Sequence, residues 1–352
     1  MRIVHNPDHH RHQGRLEMFR GRLVPCHETP ARVDHVLAEL GRRPQGPVVL
    51  PDDAGLDALL ARVHAPRYLA FLGRAWDDWV ALDPANAALD AIPSVWPVRG
   101  FRADLEPDNF AARLGLYSFD AGTPLTAGSW AAARAGAACA LTAARAVTGG
   151  GERQAFALTR PPGHHAGADF FGGYCFLNNA AVAAQALREA GAARVAVLDI
   201  DYHHGNGTQS LFYERADVFT ASIHGDPRTE YPFYLGHADE RGAGPGLGHN
   251  LNLPLPRGTG WAGWAAALDA ALAALGTFGA DACVVSLGVD TYAGDPISGF
   301  TLDSADYTEI GRRIAAALGG RPCVWVYEGG YAVDAVGVNV VNVLEGANAA
   351  GG

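Results

Sequence analysis

The chain has 352 residues, of which 49% are hydrophobic and 18% charged, a composition that is typical of a globular protein and excludes a disordered or fibrous one. Its formal net charge of −10 argues against nucleic acid and acidic membrane surfaces as partners and favours cationic ligands. All 27 basic residues are arginine, which excludes a phosphate-binding P-loop lysine and a lysine Schiff base.

The amino-terminal residues are polar, unlike a signal peptide, and no apolar run approaches the ~20 residues that a membrane span needs. The five cysteines are odd in number and have no CxxC spacing, which is typical of free thiols in a reducing compartment. We therefore expect a cytoplasmic protein.

The first 82 residues contain a short strand, a histidine-rich loop and helices. A strand is predicted at residues 2–5, and helices at residues 29–40 and at residues 56–80 on both sides of Pro66. The histidines of the loop are His5, His9, His10 and His12. Because no carboxylate spacing supports a metal site there, exposed loop histidines are the favoured interpretation.

Residues 83–128 differ from the rest of the chain, since aromatic and acidic residues alternate there without sustained periodicity. A loop of this length inside a compact chain is usually functional, and a structural wrap over the core is an equally good interpretation. Its acidic residues include Asp104, Glu106, Asp108 and Asp120.

From residue 126 onward, strands alternate with helices, which predicts a parallel sheet covered on both faces. The predicted strands are residues 154–158, 195–198, 218–223, 283–287 and 323–327, and the predicted helices are residues 128–147, 178–190, 261–275 and 304–318. Since no linker or repeat is visible, we expect a single α/β domain over residues 1–352.

Each of these strands is followed by polar residues, and the carboxyl ends of parallel strands meet at one edge of a sheet, where such sheets bind ligands. Asp199, Asp201 and His203 alternate after the strand at 195–198, so they project to the same side if the extended chain continues. A polar loop is the alternative explanation. Asp290 follows another strand and joins Asp201 and His203 as a third candidate ligand for a divalent ion, either Zn²⁺ or, less favoured, Fe²⁺ or Co²⁺.

Two further groups near these ligands can do chemistry. The tandem His164 and His165, on a proline- and glycine-rich turn, can act as acid and base near neutral pH, although packed structural histidines are the alternative. Tyr331, behind a double glycine, can donate a hydrogen bond to an oxyanion. Serine hydrolase and dinucleotide-binding motifs lack their required context.

Several ordered motifs resemble the histone deacetylase superfamily, most closely its bacterial acetylpolyamine amidohydrolase branch. They are RPPGHHAG, FGGYCFLNNAA, LDIDYHHGNGTQ, ASIHGDP, VVSLGVDTYAGDPIS and EGGY. The resemblance implies the arginase-deacetylase fold, with one α/β domain, an eight-stranded parallel sheet and helices on both faces.

The resemblance also implies residue roles. Asp201, His203 and Asp290 would bind the catalytic Zn²⁺, and Tyr331 would contact the oxyanion. His164 would face Asp199 and His165 would face Asn206. Because a carboxylate favours an imidazolium and an amide does not, His165 would be the more available base.

By the same resemblance, K⁺ is expected beside Asp199, with Ser222 and the backbone carbonyls of Asp201, His203 and Ile223. Gly173, Tyr174 and Tyr231 match the floor and aromatic walls of an acyl-chain tunnel, which suits a linear aliphatic amine.

The loop at 83–128 is expected at the mouth of this tunnel and in a homodimer contact. Polyamine-specific relatives carry acids at two loop positions that here are Ala111 and Gly122, while Glu106 and Asp120 are predicted to bind substrate instead. Acetylpolyamines or similar small amines are the favoured substrates, with an acetyl-lysine protein as the alternative.

Two other classes of protein share features of this sequence. An arginase-like ureohydrolase needs two Mn²⁺ ions and an additional aspartate at the position of Gly288. A non-catalytic binding module would not need His164, His165 and Tyr331, which are all present.

Overall fold

The computed structural model describes residues 1–149 and 151–350. Its strands are β1 (Arg2–His5), β2 (Leu16–Phe19), β3 (Arg22–Pro25), β4 (Val48–Val49), β5 (Gln154–Leu158), β6 (Val195–Asp199), β7 (Val218–Gly225), β8 (Asn250–Leu255), β9 (Ala282–Leu287) and β10 (Cys323–Tyr327). Its helices are α1 (Ala31–Arg42), α2 (Leu56–Val63), α3 (Pro66–Leu82), α4 (Phe110–Leu116), α5 (Ser129–Thr148), α6 (Asn179–Glu189), α7 (Asn206–Phe212), α8 (Trp261–Phe278), α9 (Asp306–Leu318) and α10 (Val333–Ala350).

Eight strands form one parallel sheet in the order β4, β1, β5, β10, β9, β6, β7, β8, and β2 pairs with β3 in a separate antiparallel hairpin. The predicted fold class, an α/β domain with an eight-stranded parallel sheet covered on both faces, is confirmed. The strands that the sequence predicts to end in polar clusters, β5, β10, β9, β6 and β7, are neighbours in this order. Their carboxyl ends therefore bring the polar residues to one edge.

The central strands are buried at nearly every position and are largely apolar, because both of their faces are covered. In β6, Val195 and Val197 pack into one core, while Ala196 and Leu198 pack into the other. Helices α2, α3, α5 and α6 contribute to the first core, and α1, α8, α9 and α10 to the second. This two-sided burial explains why the sequence shows continuous apolar runs there rather than alternation.

The edge strands β4 and β8 are not apparent from the sequence. β4 has two residues, and β8 contains Pro254, a residue that is confined to edge strands and bulges within sheets. The buried positions of β8 include Asn250 and Asn252, so its pattern does not indicate a hydrophobic inner face.

Residues 83–128 contain some regular secondary structure, and the two ends of this segment lie close together. Ala91 and Leu125 exchange two backbone hydrogen bonds of 2.9 Å, which closes the segment at its base. Within it, α4 begins at Phe110, and Tyr117 stacks on Phe71 with ring centroids 4.6 Å apart. The segment therefore covers the core, and its last part also reaches the cavity described below.

Helix α8 is long and apolar enough to cross a membrane by length and composition alone, with a mean hydropathy of 1.2 over 18 residues. The sequence pattern did not suggest a span there. Since helices that cover a sheet pass the same test, this is weak evidence for a span.

Candidate active site

Three predicted metal ligands meet at the carboxyl edge of the sheet. Asp201 and His203 follow β6, Asp290 follows β9, and their ligand atoms all lie within 4.8 Å of one another. His203 Nδ1 lies 2.9 Å from Asp290 Oδ2 and 3.4 Å from Asp201 Oδ1. Two carboxylate oxygens and one imidazole nitrogen thus surround one point.

Backbone amides hold these carboxylates in place. The N–H groups of Gly329 and His203 donate to the two oxygens of Asp201 at 2.8 and 2.9 Å, and the N–H of Tyr202 donates to Asp290 at 2.8 Å. Each carboxylate keeps further lone pairs for a cation.

The electrostatics of this cluster favour a bound cation. Burial, together with the charge of Asp201, raises the pKa of Asp290 to about 8. Two carboxylates that are both fully buried repel each other strongly unless a positive charge lies between them. The donor set of two carboxylates and one imidazole suits Zn²⁺ and related borderline ions.

The chain bends after β6, and this bend separates Asp199 from the two ligands that follow it. The strand ends at Asp199, whose Oδ1 accepts the N–H of Asp201 at 3.1 Å. The expectation that Asp199, Asp201 and His203 form one extended, same-side row is therefore not what the chain does. Instead Asp199 contacts His164, while Asp201 and His203 lie beside Asp290.

The two tandem histidines have different partners. His164 Nδ1 lies 2.9 Å from Asp199 Oδ2, and His165 Nδ1 lies 2.6 Å from Asn206 Oδ1. Their rings are 4.0 Å apart, and both are buried.

This difference in partner separates the pKa values of the two imidazoles. Burial lowers the pKa of His164, but the charges of Asp199 and Asp201 outweigh it and raise the pKa to about 10. Burial and the neighbouring charges of His164 and His203 lower the pKa of His165 well below its usual value. Asp199 therefore favours the imidazolium form of His164, and His165 is the more available base.

Tyr331 lines the same cavity as His165 and His203. Burial raises the pKa of Tyr331 well above its usual value, so its hydroxyl stays protonated and can donate a hydrogen bond. Its backbone N–H donates to Asp295 at 2.7 Å, which fixes the start of the segment behind the double glycine.

A buried ion network that sequence reasoning missed supports Tyr331 from behind. The Arg32 guanidinium lies over the Tyr331 ring, 4.7 Å from its centroid, and donates to the backbone oxygens of Gly330, at 2.7 Å, and Glu328. Glu28 accepts from both Arg32 and Arg160 at 2.8 Å. Glu28 and Arg32 are only four residues apart, but no spacing in the sequence links them to Arg160 or Tyr331, which come from separate segments.

Glu328 is another buried residue that sequence reasoning missed. Its Oε2 accepts the backbone N–H groups of Gly163, at 2.6 Å, and His164, at 3.1 Å, and so holds the histidine turn against the end of β10. Burial raises the pKa of Glu328 to about 7. Its place directly after a predicted strand was the available signal.

His165, His203 and Tyr331 line a cavity of about 260 Å³. Gly173, Tyr174 and Tyr231 line it as well. Asp120 lines it as well, and its Oδ2 accepts from the Tyr231 hydroxyl at 2.6 Å and from the Gly173 N–H at 2.7 Å. The structure therefore places Asp120 beside the aromatic residues with which the sequence analysis grouped it.

Two further carboxylates line this cavity and were missed. Glu17 lies in β2 and accepts from the Tyr174 hydroxyl at 2.9 Å, and Glu230 lies 3.3 Å from Arg257. Because β2 is too short to give a clear pattern, Glu17 carried no signal in the sequence.

The other acids of the 83–128 segment lie elsewhere. Glu106 accepts a hydrogen bond from the Tyr117 hydroxyl at 2.6 Å, outside the residues described as lining the cavity, and Asp108 is exposed. Of the two positions at which the resemblance led us to look for acids, Ala111 is exposed on α4 and Gly122 lines the cavity. Asp120, two residues before Gly122, supplies a carboxylate near that position.

Asp199 and Ser222 are paired across β6 and β7 and line a second, very small cavity of about 10 Å³. This volume is about that of one water molecule or monovalent ion. Ile223 follows Ser222 in β7 and is fully buried.

The model of the histone deacetylase domain matches residues 26–347. The chain is 51% identical to acetylpolyamine amidohydrolase 2 and 52% identical to acetylpolyamine amidohydrolase 1 of Pseudomonas aeruginosa, with 98% of each chain covered. The crystal structure of an acetylpolyamine aminohydrolase from Burkholderia pseudomallei superimposes with a TM-score of 0.93 at 41% identity, covering 99% of both chains. The chain therefore belongs to the histone deacetylase family.

Proposed function

We propose that this protein is a zinc-dependent amidohydrolase that removes acetyl groups from acetylated polyamines or similar small aliphatic amines. The observation that carries the proposal is the meeting of a buried Asp201, His203 and Asp290 cluster with a neutral imidazole and a phenol at the inner end of one narrow cavity. The relatives named as acetylpolyamine amidohydrolases support it.

Asp201, His203 and Asp290 would hold the metal. When bound there, Zn²⁺ lowers the pKa of a water molecule and polarises the acetyl carbonyl. Fe²⁺ or Co²⁺ would suit the same ligands.

The protein's own groups then move the proton. The His165 Nδ1–H donates to Asn206, which leaves the Nε2 lone pair free to accept a proton from the attacking water. The Tyr331 hydroxyl donates to the oxyanion that forms as the carbonyl carbon becomes tetrahedral. The proton taken up by His165 is the one that the departing amine nitrogen requires, and the products are acetate and a free amine.

His164 has a separate part in this scheme. Held as an imidazolium by Asp199, it places a positive charge beside the developing negative charge. Burial lowers the pKa of His165 most, and the charge of His164 lowers it further, which preserves the base.

The acidic residues that line the cavity favour a cationic amine as substrate. Glu17 is paired with His27 at 2.7 Å and Glu230 with Arg257, so their charges are largely offset. The hydrogen bonds described for Asp120 all come from neutral donors, namely backbone N–H groups and the hydroxyls of Thr123 and Tyr231. Asp120 therefore offers an uncompensated negative charge to an ammonium group.

A mononuclear site is favoured over an arginase-like pair of ions. A Cβ atom at Gly288 would lie 2.1 Å from Asp201 Oδ2, so the aspartate that a second ion would need cannot stand there without displacing Asp201.

The test compares kcat/KM for acetylated putrescine, cadaverine and spermidine with that for an acetyl-lysine peptide, with and without a chelator. We expect the small amines to be the better substrates and the chelator to abolish turnover. His203→Ala is the inactive control. Equal kcat/KM for both classes would favour the acetyl-lysine protein alternative, and unimpaired turnover of metal-stripped protein would refute the zinc mechanism.

We also propose a K⁺ ion beside Asp199 and Ser222, where the small cavity between β6 and β7 suits one monovalent ion. The ion would offset the buried charge of Asp199. A midpoint of thermal unfolding that rises with KCl but not with tetramethylammonium chloride would support this site, and identical midpoints would contradict it.

We further propose that residues 83–128 form a homodimer contact. Val95, Val98, Phe101 and Leu105 are 55 to 69% exposed on this one segment, and exposed apolar residues in such a group typically mark an interface. Sedimentation of the wild-type chain and of Phe101→Glu would test this, since only the former should sediment as a dimer. All five cysteines are free thiols, which supports a cytoplasmic location.

A further inference from the structure

Three metal-ligating side chains meet at the surface, outside the residues that line the cavity. His9 and His10 lie in a single 3-10 turn, His9–Arg11, and Asp34 lies in the first turn of α1. The Nε2 atoms of both histidines are 3.1 Å from the same oxygen, Oδ1 of Asp34. The local spacing of residues did not indicate a metal site here, because the carboxylate comes from another element, 25 residues further along the chain.

The hydrogen bonds of His9 determine which of its nitrogens is available. Its Nδ1 lies 3.0 Å from the backbone oxygen of Asn6, which can only accept, so Nδ1 carries the proton. The Nε2 atom of His9 is then the one that faces the Asp34 carboxylate and can present a lone pair to a metal ion. Two such electron-rich atoms repel each other unless a cation or a proton lies between them. A metal-binding histidine typically has its other nitrogen held by a carbonyl in this way.

A third imidazole stands next to this pair. The His5 ring is 5.3 Å from that of His9, and its buried Nδ1 has no hydrogen-bond partner in the described chain. Burial lowers the pKa of His5 to about 4, so it remains neutral. His5 therefore adds one unprotonated imidazole beside the pair.

We propose that His9, His10 and Asp34 form a second Zn²⁺ site, separate from the site at the sheet edge. Tetrahedral Zn²⁺ keeps neighbouring nitrogen and oxygen ligands about 3.3 Å apart, close to the 3.1 Å seen here. The corresponding distances at the sheet edge, 2.9 and 3.4 Å, bracket this value. His10 is 60% exposed, so water can complete the coordination.

The ion at this site connects two elements that reach the active site. Asp34 is two residues from Arg32, whose guanidinium stacks on the Tyr331 ring. The backbone oxygen of His9 accepts a hydrogen bond from Arg160. Zn²⁺ joining the turn to α1 therefore stabilises the support behind the phenol. The site itself does not depend on the proposed function.

The experiment is equilibrium dialysis against buffered micromolar Zn²⁺, followed by elemental analysis of zinc per chain. We expect His10→Gln and Asp34→Asn each to hold one zinc ion fewer than the wild-type chain. His35→Gln, which removes the histidine next to Asp34 on the same helix, should match the wild type. Repeating the series on His203→Ala separates this site from the proposed catalytic one, because the difference should persist there.

Equal zinc content in the wild-type chain and in His10→Gln would overturn the proposal and show that a proton, not a metal, joins His9 to Asp34. If Asp34→Asn fails to fold, His10→Gln decides alone, since its side chain is exposed. Zn²⁺ should also raise the midpoint of thermal unfolding of His203→Ala but not of His203→Ala/His10→Gln. An equal rise in both would equally refute the site.

Discussion

The inner end and the mouth of the cavity are built in different ways. At the inner end, Asp201 and Asp290 follow strands of one parallel sheet, are buried, and are held by backbone amides. Toward the mouth, the half-buried Asp120 comes from an irregular segment, and the buried Glu17 comes from a short hairpin. The sheet thus positions the proposed metal ligands, and segments outside the sheet determine which substrates can reach them.

The two ends also differ in how their charges are balanced. The inner carboxylates face imidazoles, while Asp120 has only neutral hydrogen-bond donors around it in the described chain. Substitutions at the inner end should therefore lower kcat, and substitutions at the mouth should change KM and selectivity. The predictions below test that division, beginning with the largest expected effect.

His165→Ala removes the neutral base and should lower kcat about 10²- to 10⁴-fold, the usual contribution of a general base. Steady-state assays with acetylputrescine measure this. His35→Ala, a histidine outside the cavity, serves as the control. A loss of less than about tenfold would show that His165 is not the base.

Tyr331→Phe removes the oxyanion donor and should cost ~2.7–4 kcal/mol, or about 10²- to 10³-fold in kcat, with KM little changed. Tyr234→Phe provides a control, since Tyr234 is an exposed phenol. Full turnover of the Tyr331 variant would exclude its hydroxyl from the mechanism.

Asn206→Asp gives His165 the same kind of partner as His164. In the wild-type chain the pKa of His165 lies below its usual value, so the acid limb of the kcat profile should lie below pH ~6.5. A carboxylate stabilises the imidazolium, so His165 should lose its proton only at higher pH, and the limb should move up by about 1–3 pH units. Asn348→Asp adds a charge outside the cavity and should leave the profile unchanged. If the acid limb of the kcat profile does not move in Asn206→Asp, the assignment of His165 as the neutral base is wrong.

Asp120→Asn should lower kcat/KM for acetylpolyamines about tenfold, mainly through KM, because a hydrogen bond to a charged group contributes about 1.5 kcal/mol or more. Acetylbutylamine, which has no second amine, should be hydrolysed as well as before. Asp169→Asn, an exposed acid paired with Arg67, is the matched control. Equal losses on both substrates would mean that Asp120 shapes the cavity rather than recognising charge.

The inner end could be predicted from the sequence for a physical reason. Asp201, His203 and Asp290 are adjacent to strands whose apolar runs are recognisable, and parallel strands bring their carboxyl ends together. The resemblance to a known family then supplied the pairing of His164 with Asp199 and of His165 with Asn206, which the structure brings within 2.9 and 2.6 Å. The local chain alone, with Asp199 in the same row as Asp201, suggested a different arrangement.

The remainder depends on contacts between distant segments that leave no local pattern. Glu17 meets Tyr174 across 157 residues, and Arg32 meets Gly330 across 298. The edge strand β8 was hidden because its buried positions include asparagine. Similarly, Asp34 could not be associated with His10 before the turn and α1 were seen side by side.

The contacts of Arg32 with the segment around Tyr331 mean that this segment becomes ordered during folding and not when substrate binds. Gly330 has φ +130°, and two successive glycines would leave this segment with large conformational entropy in isolation. A buried guanidinium that binds the carbonyls on both sides of Gly329 removes that freedom during folding. Substrate binding therefore does not have to restrict the motion of the Tyr331 side chain. More of the free energy of binding can then contribute to discrimination between amines.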